Sequence, residues 1–170
     1  MLLRKALEKE LPAIWEIIQY AIERRRQDGS TQWQDGYPNP DSIRSDFEKG
    51  YSYVVEENGV LLAYGAIILD VEPAYNAIEG QWLTDGAYVG VHRVAASPLA
   101  KGKGVGRFFF TALEEIAKSY TIYSIKVDTN FDNGPMLHLL DKLGYTYCGE
   151  VYFRGSARRA FEKVLVSALS

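Results

Sequence analysis

The stretch from Ala87 to Tyr120 limits the folds open to this chain more than any other. AYVGVHRVAAS reads as a β-strand, SPLAKGKGVG then sets glycine at 102, 104 and 106, and RFFFTALEEIA continues at helical spacing. Strand, glycine loop and helix in that order demand an architecture that mixes sheet and helix. The same junction aims successive N–H groups and a helix N-terminus at one spot, which makes an anion site without a metal. Lys101, Lys103 and Arg107 add positive charge around it. A pyrophosphate suits such a site; a plain glycine-rich turn is the other reading. A nucleotide P-loop is excluded, because Gly106 is followed by Arg107 and Phe108 where lysine and a hydroxyl are needed. A dinucleotide fingerprint fails as well, since its third glycine falls on Arg107 or Phe109.

The remaining segments fit around this unit. MLLRKA reads as a first strand, and LPAIWEIIQYAIERRRQDG as a helix with Pro12 near its start and Arg24, Arg25 and Arg26 at its end. After the polar and aromatic loop STQWQDGYPNP, Asn39 caps a second helix that begins at Pro40 and stops at Gly50. YSYVVEENGVLLAYGAIIL is two strands joined by Asn58-Gly59, a hairpin signal. DVEPAYNAIEGQWLTDG (70–86) reads as an irregular connection. Beyond the glycine loop, TIYSIKVDT is a strand, NGPMLHLLDKLG a short helix, and YTYCGEVYF and AFEKVLVS are closing strands. The order β-α-α-β-β-β-α-β-α-β-β describes one α/β (α+β) domain over residues 1–170.

Composition narrows the function classes. Hydrophobic residues are 47% and charged residues 24% of a 170-residue chain, as in an ordinary globular domain. A net charge of −3 argues against wholesale nucleic-acid binding. Cys148 is the only cysteine, which excludes an intrachain disulfide and a cysteine metal cluster; no metal is expected. The longest apolar run, VLLAYGAIIL, is short of the roughly 18 residues a membrane helix needs. MLLRKALEKELP lacks the apolar region of a secretion signal, so a cytoplasmic location off the membrane is the expectation.

RVAASPLAKGKGVGRFF resembles the acyl-CoA signature of the GNAT superfamily of N-acetyltransferases, an apolar strand and short turn followed by [QR]-x-x-G-x-[GA]. Gly104 and Gly106 match, and Lys101 stands in the Gln/Arg place. NGPMLHLLDKLGY is similar to a later block of that family, N-x-x-A-x-x-L-Y-x-K-x-G-F. Asn133, Leu139, Lys142, Gly144 and Tyr145 fit, Met136 replaces the small residue, and Leu140 replaces the usual tyrosine. The resemblance runs from Met1 to about Val166. It implies a GNAT-like fold, a twisted and splayed, mostly antiparallel sheet flanked by helices. It also implies acetyl-CoA as cosubstrate, with its pantetheine arm along Val94, Ala95 and Ala96. The pyrophosphate would then lie on the N–H groups from Gly102 through Lys103, Gly104, Val105 and Gly106 to Arg107. Asn133 would face the pantetheine arm or cap the following helix.

The implied reaction moves an acetyl group directly to a primary amine of a small molecule or peptide. His92 lies two residues before Val94, so strand alternation puts both on one face, and imidazole suits general-base work near neutrality. Glu79 is the rival base. With Leu140 in the tyrosine place, Tyr145, Tyr147, Tyr152 or solvent is left to protonate the leaving thiolate. Acceptor specificity in this family comes from two loops, which here carry Trp33, Asp35 and Tyr37 in one and Tyr75, Glu79 and Trp82 in the other. Aromatic walls beside carboxylates suit a cationic amine, while anchoring of long loops is the other use of these tryptophans. His138 reads as a surface residue and Cys148 as a small core residue. The alternative function is a catalytically weak, CoA-binding sensor or interaction module. Homodimers are common in the family, and a homodimer is an expectation the sequence leaves open.

Overall fold

The computed structural model describes residues 1–166, so the last residue of the expected closing strand, Ser167, lies outside it. The strands are β1 (Leu2–Lys5), β2 (Ser52–Glu57), β3 (Val60–Ile68), β4 (Glu79–Gly80), β5 (Val89–Ala96), β6 (Ser124–Thr129), β7 (Thr146–Phe153) and β8 (Ser156–Val164). The helices are α1 (Leu11–Gln27), α2 (Pro40–Glu48), α3 (Pro73–Asn76), α4 (Val105–Ser119) and α5 (Gly134–Lys142). The strands form one open sheet in the order β1-β2-β3-β5-β6-β8-β7-β4. Most of its pairings are antiparallel, and β5 runs parallel to β6.

The chain packs as two compact units. The first comprises Met1–Ile67 and Arg93–Phe110. Its core gathers Leu11, Ile14, Ile17 and Ile18 of α1, Ile43 of α2, and Val54 and Tyr64 of the central strands. The α1 residues recur at helical spacing, which is why this stretch folds as an amphipathic helix. Asn39 caps α2 by accepting from the Ser42 N–H at 3.0 Å, and the Ser42 hydroxyl oxygen accepts from the Asn39 N–H at 2.8 Å. Asn58 and Gly59 both take left-handed backbone (φ 52° and 80°), the geometry of a tight turn between β2 and β3. Gly65 of β3 makes room for α4, since a Cβ there would lie 2.4 Å from the Phe109 ring.

The second unit comprises Ile68–His92 and the chain from Thr111 onward. Register places Gly90 beside Lys126, Lys126 opposite Glu162, and Asp128 opposite Ala160. The connection 70–86 is more ordered than its sequence predicts. Glu72 caps α3 by accepting from the Ala74 N–H at 3.1 Å, and Glu79–Gly80 pairs with β7 as the edge strand β4. That pairing requires glycine on both sides, because a Cβ on Gly80 or Gly149 would sit 2.2 Å from a carbonyl oxygen of the other strand. The final strand starts at Ser156, earlier than the expected Ala160. Arg154 and Gly155 supply the left-handed turn (φ 49° and 75°), with arginine where asparagine is the usual signal.

Candidate functional site

The glycine loop lies wholly in the first unit, exposed from Lys101 to Gly104. Ser97 caps the 3-10 turn Pro98–Ala100 by accepting from the Leu99 N–H at 3.1 Å. Within the loop, the Lys101 N–H reaches Pro98 O at 3.4 Å and the Lys103 N–H reaches Ala100 O at 3.0 Å. The first bond of α4 runs from the Phe108 N–H to Gly104 O at 3.0 Å. Among the described residues, the N–H groups of Gly102 and Gly104 in the loop and of Val105, Gly106 and Arg107 in α4 have no backbone acceptor, the last three as the first turn of a helix dictates. Gly102 and Gly104 hold φ of +78° and +67°, and nothing lies within 4 Å of where a Cβ would stand on either. The junction therefore offers uncommitted N–H donors beside two exposed glycines whose Cβ positions are open. Two details depart from the sequence reading. The Lys103 N–H is already committed, and its ammonium is held by Glu57 at 2.9 Å. Lys101 and Arg107 enter no ion pair among the described residues.

Val94 and Ala96 precede the loop on β5, and Arg25 donates to Val94 O at 3.5 Å. His92 and Val94 are not related by the simple strand alternation expected of them. Arg93 between them has left-handed backbone (φ 55°), so the strand is not extended there. Asp46 of α2 holds the Arg93 guanidinium through two bonds of 2.7 and 2.6 Å, and Arg93 also reaches the Tyr37 hydroxyl at 2.5 Å. Asp46 in turn accepts from the Tyr64 hydroxyl at 2.7 Å. This buried network offsets a backbone conformation that costs about 1–3 kcal/mol for a residue with a Cβ.

His92 belongs to the second unit, where its side chain is 11% exposed. Its Nδ1 lies 3.7 Å from Asp128 Oδ1, and the ring packs near Tyr75 and Phe153, at centroid distances of 5.8 and 6.1 Å. Asp128 accepts from the Tyr75 hydroxyl at 2.6 Å and has Arg158 Nη1 at 3.9 Å. Burial, then the Asp128 charge, push the Tyr75 phenol well above its ordinary range, so it remains a donor. A buried carboxylate next to an imidazole is the arrangement that orients a base and stabilises its protonated form. Glu79, the rival base, is exposed on β4 and accepts from the Tyr152 hydroxyl at 2.9 Å.

The expected aromatic walls are engaged from within. Trp33 is 6% exposed in the first core with the Arg25 guanidinium stacked on it at 3.8 Å. Trp82 donates to Tyr75 O at 2.8 Å, and the Lys126 ammonium lies over its ring at 4.5 Å and over Tyr88 at 4.4 Å. The cation expected on Trp82 from outside is thus supplied by the protein's own lysine. Tyr37 contacts Arg93 as above, and Asp35 is exposed and accepts from the Tyr37 N–H at 3.4 Å. Asn133 caps α5, accepting from the Met136 N–H at 3.3 Å. Leu140 is fully buried, Tyr145 is buried, and Tyr147 and Tyr152 are exposed. Cys148 is a buried thiol, as expected, and burial raises its pKa; His138 is exposed.

Sequence reasoning missed Asp128, Arg158, Lys126 and Glu162. The signal was present in SIKVDT, whose alternation puts Lys126 and Asp128 on one face. Glu162 is fully buried, accepting from the N–H groups of Leu83 (2.8 Å) and Thr84 (3.3 Å), from the Thr84 hydroxyl, and from the Ser124 hydroxyl at 2.7 Å.

An open, mostly antiparallel sheet flanked by helices, with a glycine loop at a strand-to-helix junction, is the architecture that comparison with known proteins finds again. The model of the acetyltransferase (GNAT) family matches residues 12–145. The chain belongs to that family. A GNAT-family acetyltransferase structure from Streptococcus agalactiae is 38% identical over 98% of this chain and 96% of its own, with a TM-score of 0.90. One from Listeria monocytogenes is 18% identical over 96% and 94%, at 0.77. A Salmonella typhimurium acetyltransferase, solved with its cofactor acetyl-CoA, is 20% identical over 99% and 96%, at 0.68. These two share the fold. No curated protein matches the chain. Among the described residues no helix is long and apolar enough to cross a membrane, and no His, Cys, Asp and Glu residues gather as a metal site would need.

Proposed function

We propose that this protein is an N-acetyltransferase that uses acetyl-CoA to acetylate a primary amine by direct transfer. The observation that carries the reading is the row of acceptor-free N–H groups at Gly102, Gly104, Val105, Gly106 and Arg107, with open space over two left-handed glycines. Those donors fit a pyrophosphate, and Lys101 and Arg107 add charge beside it. The Salmonella structure that holds acetyl-CoA supports the choice of cosubstrate. Acetyl-CoA, when bound, supplies the acetyl group as a thioester and departs as the free thiol.

The chain's own part begins on β5. Backbone groups of Val94, Ala95 and Ala96 pair with the extended pantetheine arm, and a backbone N–H of that strand stabilises the developing oxyanion. His92 accepts the proton that the attacking amine must lose, and Asp128 stabilises the imidazolium formed. Leu140 is buried and has no proton to give, so Tyr145, Tyr147, Tyr152 or solvent returns a proton to the thiolate. The same leucine favours a second reading, a CoA-binding sensor without turnover. The protein is expected to act in the cytoplasm.

Calorimetric titration with acetyl-CoA, with magnesium-ATP as the control, tests the cosubstrate. Binding of acetyl-CoA alone is the expected result, and binding of neither ligand by folded protein overturns it. An amine screen by thiol release then separates the enzyme from the sensor.

A further inference from the structure

One face of the second unit's sheet carries an unusual amount of charge for a covered surface. Alternation and register put His92 of β5, Lys126 and Asp128 of β6, and Arg158 and Glu162 of β8 on the same side. Segment 70–88 covers this face with Tyr75, Trp82 and Tyr88. The two ends of the charged row differ in how well they are satisfied. At the Lys126–Glu162 end, Glu162 receives donors from Leu83, Thr84 and Ser124, and Lys126 reaches Thr84 O at 3.3 Å while seated on two rings. That end is closed.

The other end is not. Arg158 is 12% exposed, yet among the described residues its guanidinium has one loose ion pair, 3.9 Å from Asp128. Its Nε is buried without a hydrogen-bond partner, and the Phe153 ring lies 5.6 Å from its Cζ. A guanidinium is a planar fork matched to carboxylates, and a buried Nε–H left unmet in a low-dielectric setting is costly. The adjacent Asp128 is mostly buried and carries the opposite charge. A partner satisfying the Arg158 Nε–H would present an oxyanion to the guanidinium, with its amine on the side of Asp128 and His92.

We propose that Arg158 is a specificity determinant that binds the carboxylate of the acceptor, so that the acceptor is an amino-acid-type molecule with a carboxylate close to its reactive amine. The proposal rests on the acetyl-transfer reading, and it assigns Arg158 and Asp128 to the acceptor. The carboxylate gains charge-assisted bonds from the fork, and the amine is delivered beside the imidazole that deprotonates it. Tyr75 and Phe153 wall the site with apolar surface, which strengthens the ion pair by excluding water.

The test compares amino acids, their carboxamides and the matching decarboxylated amines as acceptors for acetyl-CoA, read by thiol release. Amino acids should be preferred by about 100-fold in kcat/KM. Arg158→Gln should bring that ratio close to one through a rise in KM for the amino acids, and Arg158→Lys should keep part of it. Acetyl-CoA titration confirms that each variant is folded. Calorimetric binding of the same panel to the protein, alone and saturated with CoA, reads the site without turnover. Turnover of amines regardless of a carboxylate overturns this proposal and leaves acetyl transfer standing. Binding of no carboxylate-bearing amine, or an undiminished preference in Arg158→Gln, overturns it too. Selective amino-acid binding without acetylation keeps the Arg158 site and overturns the transfer reading.

Discussion

At the scale of single residues, the loop glycines and His92 make separable demands. Gly104→Val adds a branched side chain at φ +67° where the open space lies. It should cost about 1–3 kcal/mol of stability through backbone strain and weaken acetyl-CoA binding tenfold or more (~1.4 kcal/mol), read by denaturation and calorimetry. His92→Ala should leave acetyl-CoA affinity intact and lower kcat by about 10²–10⁴-fold. A base must be neutral to work, so the wild-type rate falls at acidic pH. The variant should lose that acidic limb, and a pH–rate profile of unchanged shape moves the role away from His92. Glu162→Ala removes the acceptor for the Leu83 and Thr84 N–H groups and a nearby negative charge that favours the Lys126 ammonium. A loss of about 3 kcal/mol in urea denaturation is expected.

Among elements, those whose cause is local were legible in the chain. Asn39 and Pro40 start α2, Asn58-Gly59 turns β2 into β3, and the glycine loop opens α4, each through residues adjacent in sequence. Asn39→Ala should accordingly cost about 1 kcal/mol, measured by chemical denaturation, because it removes one capping acceptor. What escaped depends on partners far along the chain. The break in β5 needs Asp46 to hold Arg93, 47 positions away. Lys126 is sheltered by Trp82 and Tyr88, and Arg158 meets Asp128 only across β6 and β8. Composition assigns such charges to solvent, and although the alternation in SIKVDT puts Lys126 and Asp128 on one face, only distant residues decide that this face is covered. β4 was hidden for another reason: two residues are too few for a pattern, and the close approach of Gly80 and Gly149 is visible only once both strands exist.

For the molecule as a whole, stability should respond to acid and to ligand. Arg4 donates to Glu10 at 2.9 and 2.8 Å, and this hydrogen bonding, chiefly, lowers the Glu10 carboxyl below its ordinary 4.5. A carboxyl depressed in the folded state contributes stability above its unfolded value and loses it as pH falls through the folded one. Urea midpoints should therefore drop as pH falls below about 4.5, and Glu10→Gln should flatten that decline. Acetyl-CoA at about 100 times its dissociation constant should stabilise the protein by about 2.7 kcal/mol, seen as a rise in Tm. The Asp46–Arg93 clamp also bears on descent. An arginine at 93 without its aspartate is a buried charge in a strained backbone, and an aspartate at 46 without its arginine is a buried charge alone. Lineages should gain or lose the two together, leaving positions 46 and 93 as a correlated pair despite their distance along the chain.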